Sequence, residues 1–339
     1  MLKVLKRFPL IQKNPGSYYS FPTLAVVAGE LFMALRVATV DEDEPHGREG
    51  GVVLYEATAE NLQQWQPVRF DASADERWEI DAILSVVDDE LYLQTRQYRQ
   101  DRYNEVFLSR LFRSEIPQGL CELERRSLSS LQPCLSASYG HLVRAADGAL
   151  LLPAYGGLSE SGITSPLLFH SYNGGEEWQL RAVVADSDRL GKYLNEYSML
   201  NLGGKRWLAL MRDNHKPWVL WQLYSEDDGF SWSELQDSGL RGHAPMLCAV
   251  EGGVVAIYRE LSTSTPGIGF AYKARGDDRW VNAAISRDYS GALYNGGYGD
   301  VVALADNRLF AAYYVADDDQ SPWIEGAILA WGDEGDETV

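Results

Sequence analysis

One short pattern recurs six times along this chain of 339 residues. Each copy is a small or acidic turn followed by an apolar run that ends in Tyr or Arg. The copies read VVAGELFMALR, VVDDELYLQTR, AADGALLLPAY, NLGGKRWLALMR, AVEGGVVAIYR and ALADNRLFAAYY. Their turns fall at Gly29, Asp89, Gly148, Gly204, Gly253 and Asn307, in steps of 60, 59, 56, 49 and 54 residues. A period near 50 residues built from short strands is the signature of a β-propeller. One four-stranded sheet cannot bury both of its faces, so the copies must stack on one another. The expectation is an all-β, six-bladed β-propeller of four-stranded antiparallel blades, a single domain over residues 1–339.

The rest of the chain agrees with that reading. Strand-like runs at 52–55, 90–95, 150–154, 207–211, 254–258 and 308–314 are bounded by Gly, Asp, Asn or Pro. Its 10 Trp and 19 Tyr suit sheets stacked face to face. Residues 122–131 are the one helix candidate, limited by Pro133. The acidic end, 332–339, reads as a solvated tail.

The net charge is −19, which speaks to solubility and argues against nucleic acid, whose phosphates need a basic face. The basic N-terminal stretch lacks the continuous apolar core of a signal peptide. No apolar run approaches the roughly 20 residues of a membrane span. Cys121, Cys134 and Cys248 are an odd set without metal-ligand spacing and read as buried thiols in a reducing compartment. Cytoplasm is the expected location, with no cofactor and no metal. Oligomeric state is left open.

The repeat also places a site. In each copy the strand before the turn leaves one face of the propeller and the strand after it returns. Residues before the first strand and after the second therefore gather at one mouth. Before the first strands lie Tyr19 to Pro22, Asp81, Tyr139 to His141, Asn195-Glu196, Arg241 to Pro245 and Gly297 to Asp300. After the second strands lie Arg36, Arg96, Tyr155, Arg212-Asp213, Tyr258-Arg259 and Tyr313-Tyr314. A rim so rich in Arg, Tyr, His and carboxylates points to a binding or catalytic mouth. The five histidines show no metal-ligand spacing.

Two further turns repeat one another. Residues 225–232 have the form S-x-D-x-G-x-x-W, and residues 171–178 repeat it with Asn for Asp. The Asp or Asn side chain can hold the turn's amides, Gly supplies positive φ, and Trp packs beneath. These are similar to the Asp-box of sialidase-like propellers. Across about the whole chain, the sequence resembles the sialidase superfamily. Asn195-Glu196, then the hairpin ending in Arg212, then the turn at 225–232 follow that family's order. Gly297-Tyr298-Gly299-Asp300 looks like the segment holding the family's nucleophilic tyrosine. Pro153-Ala154-Tyr155 is a further match, as is Arg36 with Asp41 five residues on.

The resemblance implies roles. Tyr298 would attack the anomeric carbon and Glu196 would take its proton, because a phenol of pKa near 10 is a poor nucleophile unaided. Asp41 or Asp43 would be the general acid/base. Arg212 would bind a substrate carboxylate, with Arg36 lining the same pocket. The family's R-I-P is Ser20-Phe21-Pro22 here, and residues 262–266, where a third arginine is expected, contain none. Arg241 and Arg259 of the fifth blade or Arg96 of the second could substitute, beside Tyr155, His243 and Asp81 as further binding residues. The expected activity is glycoside hydrolysis at a terminal, acidic sugar. A non-catalytic carbohydrate-binding propeller and a polysaccharide lyase stand as alternatives.

Overall fold

The computed structural model describes residues 2–41, 46–68, 70–71, 78–98, 104–115, 118–131, 134–158, 162–289, 296–305, 307–317 and 321–331. They form six blades of a β-propeller, each built on four antiparallel strands. Blade one is Ser17–Val27, Glu30–Thr39, Arg48–Thr58 and Gln66–Val68. Blade two is Trp78–Val87, Glu90–Tyr98, Asn104–Glu115 and Gln118–Ser127, with the two-residue strand Phe70–Asp71 alongside. Blade three opens with the pieces Ala137–Ser138 and Val143–Arg144, followed by Leu150–Gly157, Thr164–Ser171 and Gln179–Val183.

Blades four and five share one long strand. Gln236–Val250 closes the sheet begun by Leu194–Gly203, Arg206–Asp213 and Val219–Ser225, and then opens the next with Gly253–Glu260, Gly267–Ala274 and Val281–Asp288. Blade six is Gly299–Ala303, Arg308–Val315 and Trp323–Trp331, and the chain's first strand, Leu2–Ile11, completes it. Start and end of the chain thus share a sheet.

The repeated apolar run is the second strand of each blade. Leu31, Met33, Ala34 and Leu35 are fully buried, as are Leu150 to Leu152, Trp207 to Met211 and Leu309 to Val315. A strand sandwiched between neighbouring sheets has no solvent face, so it reads as continuous apolar sequence instead of alternating. Its turns follow hairpin chemistry. Ala28-Gly29 and Asp88-Asp89 take positive φ at both central positions, which matches the twist of the flanking strands. In the fifth copy the positive φ falls on Gly252, and Gly253 already begins the strand.

Neighbouring blades are tied by buried hydroxyls. Thr23 donates to the Ala82 carbonyl and accepts from the Leu84 amide at 3.0 Å. Ser85 accepts from the Leu142 amide, Tyr197 donates to the Leu167 carbonyl, and Ser198 accepts from the Leu247 amide. Asp300 of blade six accepts from the Leu24 amide of blade one at 2.8 Å. The helix candidate at 122–131 is corrected: its backbone continues the strand Gln118–Ser127, and only Ser129–Leu131 turns as a 3₁₀ helix. Pairing with Asn104–Glu115 satisfies its amides and carbonyls across the sheet.

Candidate active site

Four first strands carry a register shift at the same rim position. The shifts lie between Ser20 and Thr23, Glu79 and Asp81, Leu194 and Tyr197, and His243 and Met246. A bulge adds a residue and re-aims the side chains around it. Phe21 and Ala244 sit inside two of these shifts with φ of 53° each. The bulged segments present Phe21, Pro22, Thr23, Asp81, Glu196 and Met246 to one cavity of about 210 Å³. Arg96, Arg212, Tyr139, Tyr298 and His46 complete its polar and aromatic wall.

Three of these groups are in direct contact. The Tyr298 hydroxyl donates to Glu196 Oε1 at 2.7 Å. Arg212 Nη1 donates to Glu196 Oε2 at 2.6 Å and to the Tyr298 oxygen at 3.0 Å. Residues from blades four and six, 102 positions apart, are thereby brought to hydrogen-bond distance. The phenol ring is caged. Phe21 meets it edge-on at 5.1 Å and Tyr139 at 6.2 Å, and the Arg259 guanidinium lies 4.8 Å from its centroid.

Burial and the neighbouring Glu196 charge push the Tyr298 hydroxyl well above the ordinary tyrosine value, against the pull of Arg212 and Arg259. Tyr298 is therefore a neutral phenol with a carboxylate acceptor beside it. A proton leaving Tyr298 can pass directly to Glu196, and the remaining phenolate oxygen keeps the Arg212 donor.

A second pair faces the same cavity. Asp81 and Arg96 are directly opposite in the ladder of blade two, with Arg96 Nε 2.8 Å from Asp81 Oδ2. Burial raises the Asp81 carboxyl, while the Arg96 charge works against that rise. His46 is neutral, because burial and the nearby arginines push its ring down to about 3.

The other anticipated residues are placed differently. Arg36 is 3% exposed and donates to the carbonyls of His46 and Gly47, so it braces the segment behind the cavity. Arg259 is fully buried and holds the Gly296 carbonyl through Nε and Nη2 at 2.9 and 2.6 Å, beneath the Tyr298 ring. His243, its cross-strand partner, is buried and neutral, pushed down to about 2 by burial and then by Arg212 and Arg259. Tyr155 is half-buried behind the wall and pushed up to about 12 by burial. Arg241 makes a bidentate pair with Asp237, both bonds 2.8 Å, and does not line the cavity. Asp41 does not line it either, and Asp43 lies outside the described residues.

Tyr139 stood among the expected rim residues, whereas His46 and Met246 line the cavity without having been named there. Met246 is placed by the bulge that ends at it, which needs cross-strand register and so is invisible in one sequence. Among the described residues, no group of three or more His, Cys, Asp or Glu could hold a metal ion.

No family model matches the chain, and no curated protein matches it. Solved structures do. A protein of unknown function from Dyadobacter fermentans DSM 18053 is 17% identical with a TM-score of 0.78, the alignment covering 98% of this chain and 99% of that one. Trypanosoma rangeli sialidase in complex with sialic acid is 12% identical at a TM-score of 0.67, covering 96% of this chain and 58% of that one. The intramolecular trans-sialidase from Ruminococcus gnavus, in complex with oseltamivir carboxylate, is 11% identical at 0.61, covering 95% and 96%. The fold is sialidase-like. At these identities the likeness belongs to the fold alone.

Proposed function

We propose that this protein is a glycoside hydrolase that works through a tyrosyl–enzyme intermediate. The observation that carries the reading is the three-way contact of Tyr298, Glu196 and Arg212 inside a cavity. Tyr298 Oη attacks the anomeric carbon, its proton passes to Glu196 Oε1, and the leaving oxygen takes a proton from a general acid. Water then attacks the same carbon and breaks its bond to Tyr298 Oη, a carboxylate takes the water's proton, and the released phenolate recovers a proton from Glu196. A neutral phenol is a known alternative to the two-carboxylate scheme in this chemistry. Asp41 stands off the cavity, which leaves Asp43 as the proposed acid/base.

The Trypanosoma rangeli and Ruminococcus gnavus structures are complexes with sialic acid and with oseltamivir carboxylate, which supports a carbohydrate ligand here. The test is a trapping experiment. A panel of activated fluoroglycosides is incubated with the wild type, Tyr298→Phe and Asp43→Asn, and intact mass is read. An adduct of one sugar that maps to residue 298 and vanishes in Tyr298→Phe supports the reading. Turnover without any adduct, undiminished in Tyr298→Phe, would sink it.

A further inference from the structure

Phe21 holds a backbone that its side chain disfavours. Its φ is 53°, which is uncommon for a bulky residue, and a residue before proline is restricted further. The cause is the bulge in blade one. Ser20 pairs with Arg36 and Thr23 with Ala34, so Phe21 and Pro22 together stand opposite Leu35. An extra residue changes the face to which a side chain turns, and here it brings Phe21 to the cavity wall. The bulge is pinned from two neighbouring blades. The Thr23 hydroxyl ties it to Ala82 and Leu84 of blade two, and the Leu24 amide donates to Asp300 of blade six at 2.8 Å. Asp300 is two residues from Tyr298. Strain of this kind persists only where the surroundings over-determine it, and here the surroundings include the segment that carries the phenol.

The Phe21 ring lies against Tyr298, with centroids 5.1 Å apart and planes at 82°. Tyr139 and Tyr314 stand farther from the phenol, each at 6.2 Å. Phe21 is itself enclosed. His46 packs on it at 5.1 Å and Tyr314 at 5.5 Å, which restricts its rotamer. Hydrogen bonds from Glu196 and Arg212 fix the Tyr298 oxygen at rest. In the proposed attack the phenol proton passes to Glu196 and an oxygen lone pair goes to the anomeric carbon, so those bonds change as the reaction proceeds. Ring contacts do not depend on the proton. They keep the oxygen aimed while its polar partners exchange.

We infer that Phe21 is a positioning residue for the nucleophile. Its strained place in the bulge sets its ring against Tyr298 and keeps the phenol oxygen in line for attack. The inference rests on the glycosidase reading of Tyr298, and it gives Phe21 a role through Tyr298 instead of through substrate affinity.

The test separates rate from binding. Wild type, Phe21→Leu, Phe21→Met and Phe21→Tyr are incubated with 2-deoxy-2-fluorohexosyl fluorides of both anomers and with 2,3-difluorosialic acid. In each adduct the bond from Tyr298 Oη to the anomeric carbon forms as fluoride leaves and the phenol proton passes to Glu196. Intact mass gives the labelling rate at saturation and the half-saturating concentration. Phe21→Leu and Phe21→Met are expected to label about 10²-fold more slowly at saturation, with half-saturation changed by less than about threefold. Phe21→Tyr, which keeps a ring, is expected to recover most of that loss. Thermal melts identify the variants that fold, and Phe21→Met carries the comparison if Phe21→Leu does not. Labelling by a folded, ringless variant at the wild-type rate overturns the inference. A loss confined to half-saturation also overturns it, because Phe21 would then act as a substrate contact. Wild type left unlabelled by every probe overturns the tyrosyl–enzyme reading, and this assignment with it.

Discussion

A phenol buried against a carboxylate resists ionisation. In the proposed mechanism the Tyr298 proton therefore moves during attack, with Glu196 as its acceptor. Glu196→Gln keeps the shape and removes the base. The expected result is a fall in kcat of about 10²- to 10⁴-fold, read by steady-state kinetics on whichever glycoside turns over. Glu196, Arg212 and Tyr298 were legible in the sequence because each stands at a strand end beside an apolar run. The roles of Arg241, Arg36 and Arg259 were not. An arginine at a rim position looks the same whether it faces substrate, a neighbouring carboxylate or a main-chain oxygen, and only the contacts of Asp237, Gly47 and Gly296 tell them apart.

Turns and strands show the same division. The two S-x-[DN]-x-G-x-x-W turns adopt one geometry. Ser225 accepts from the Gly229 amide at 2.8 Å, Asp227 accepts from the Ser231 amide at 2.8 Å, and the Trp232 indole donates to the Gly229 carbonyl. Ser171, Asn173, Gly175, Glu177 and Trp178 repeat each contact. Gly229 has φ of 86°, and an added Cβ would meet Leu168 Cδ2 of blade three at 2.8 Å. Gly229→Ala is therefore expected to destabilise by about 1–3 kcal/mol through strain and overpacking. At Gly204, also at positive φ, no atom lies within 4 Å of an added Cβ, so Gly204→Ala should cost the strain alone. Urea melts of both variants check the difference. Ser198 is a second case, because its hydroxyl is fully buried and accepts the Leu247 amide of the next blade. Ser198→Ala leaves that amide unpaired and should cost about 1–3 kcal/mol in the same measurement. Turn chemistry is local and can be read from eight residues. Bulges at the rim are not, since they exist only as a mismatch between two strands.

Across the whole molecule, one polar knot joins four blades. Asp300 of blade six accepts from Leu24 of blade one and lies 3.2 Å from His141 Nε2, beside blade three. His141 Nδ1 lies 2.7 Å from the Leu84 carbonyl of blade two. Both neighbours of the ring are acceptors, so both nitrogens are satisfied only when the ring carries two protons. Burial works to lower its pKa, but Asp300 outweighs burial and raises it above 6.5. A base whose folded pKa is raised contributes stability in full below the unfolded value and loses it as pH rises through the folded one. Wild type should therefore exceed His141→Gln in melting temperature by more at about pH 6 than at about pH 9. An equal difference at both would remove the charge from the knot.

The sequence alone determined the blade count, the strand that each repeat buries, and the mouth toward which the rim side chains converge. Those properties come from periodicity, which each short segment carries in itself. Asp81 faces Arg96 by the register of one hairpin, but the tertiary structure decided the meetings of Glu196 with Arg212 across a bulge and of His141 with Asp300 between blades. Coulombic pairing depends on distance in space. A separation of 159 residues along the chain, as between His141 and Asp300, says nothing about it until the blades are in place.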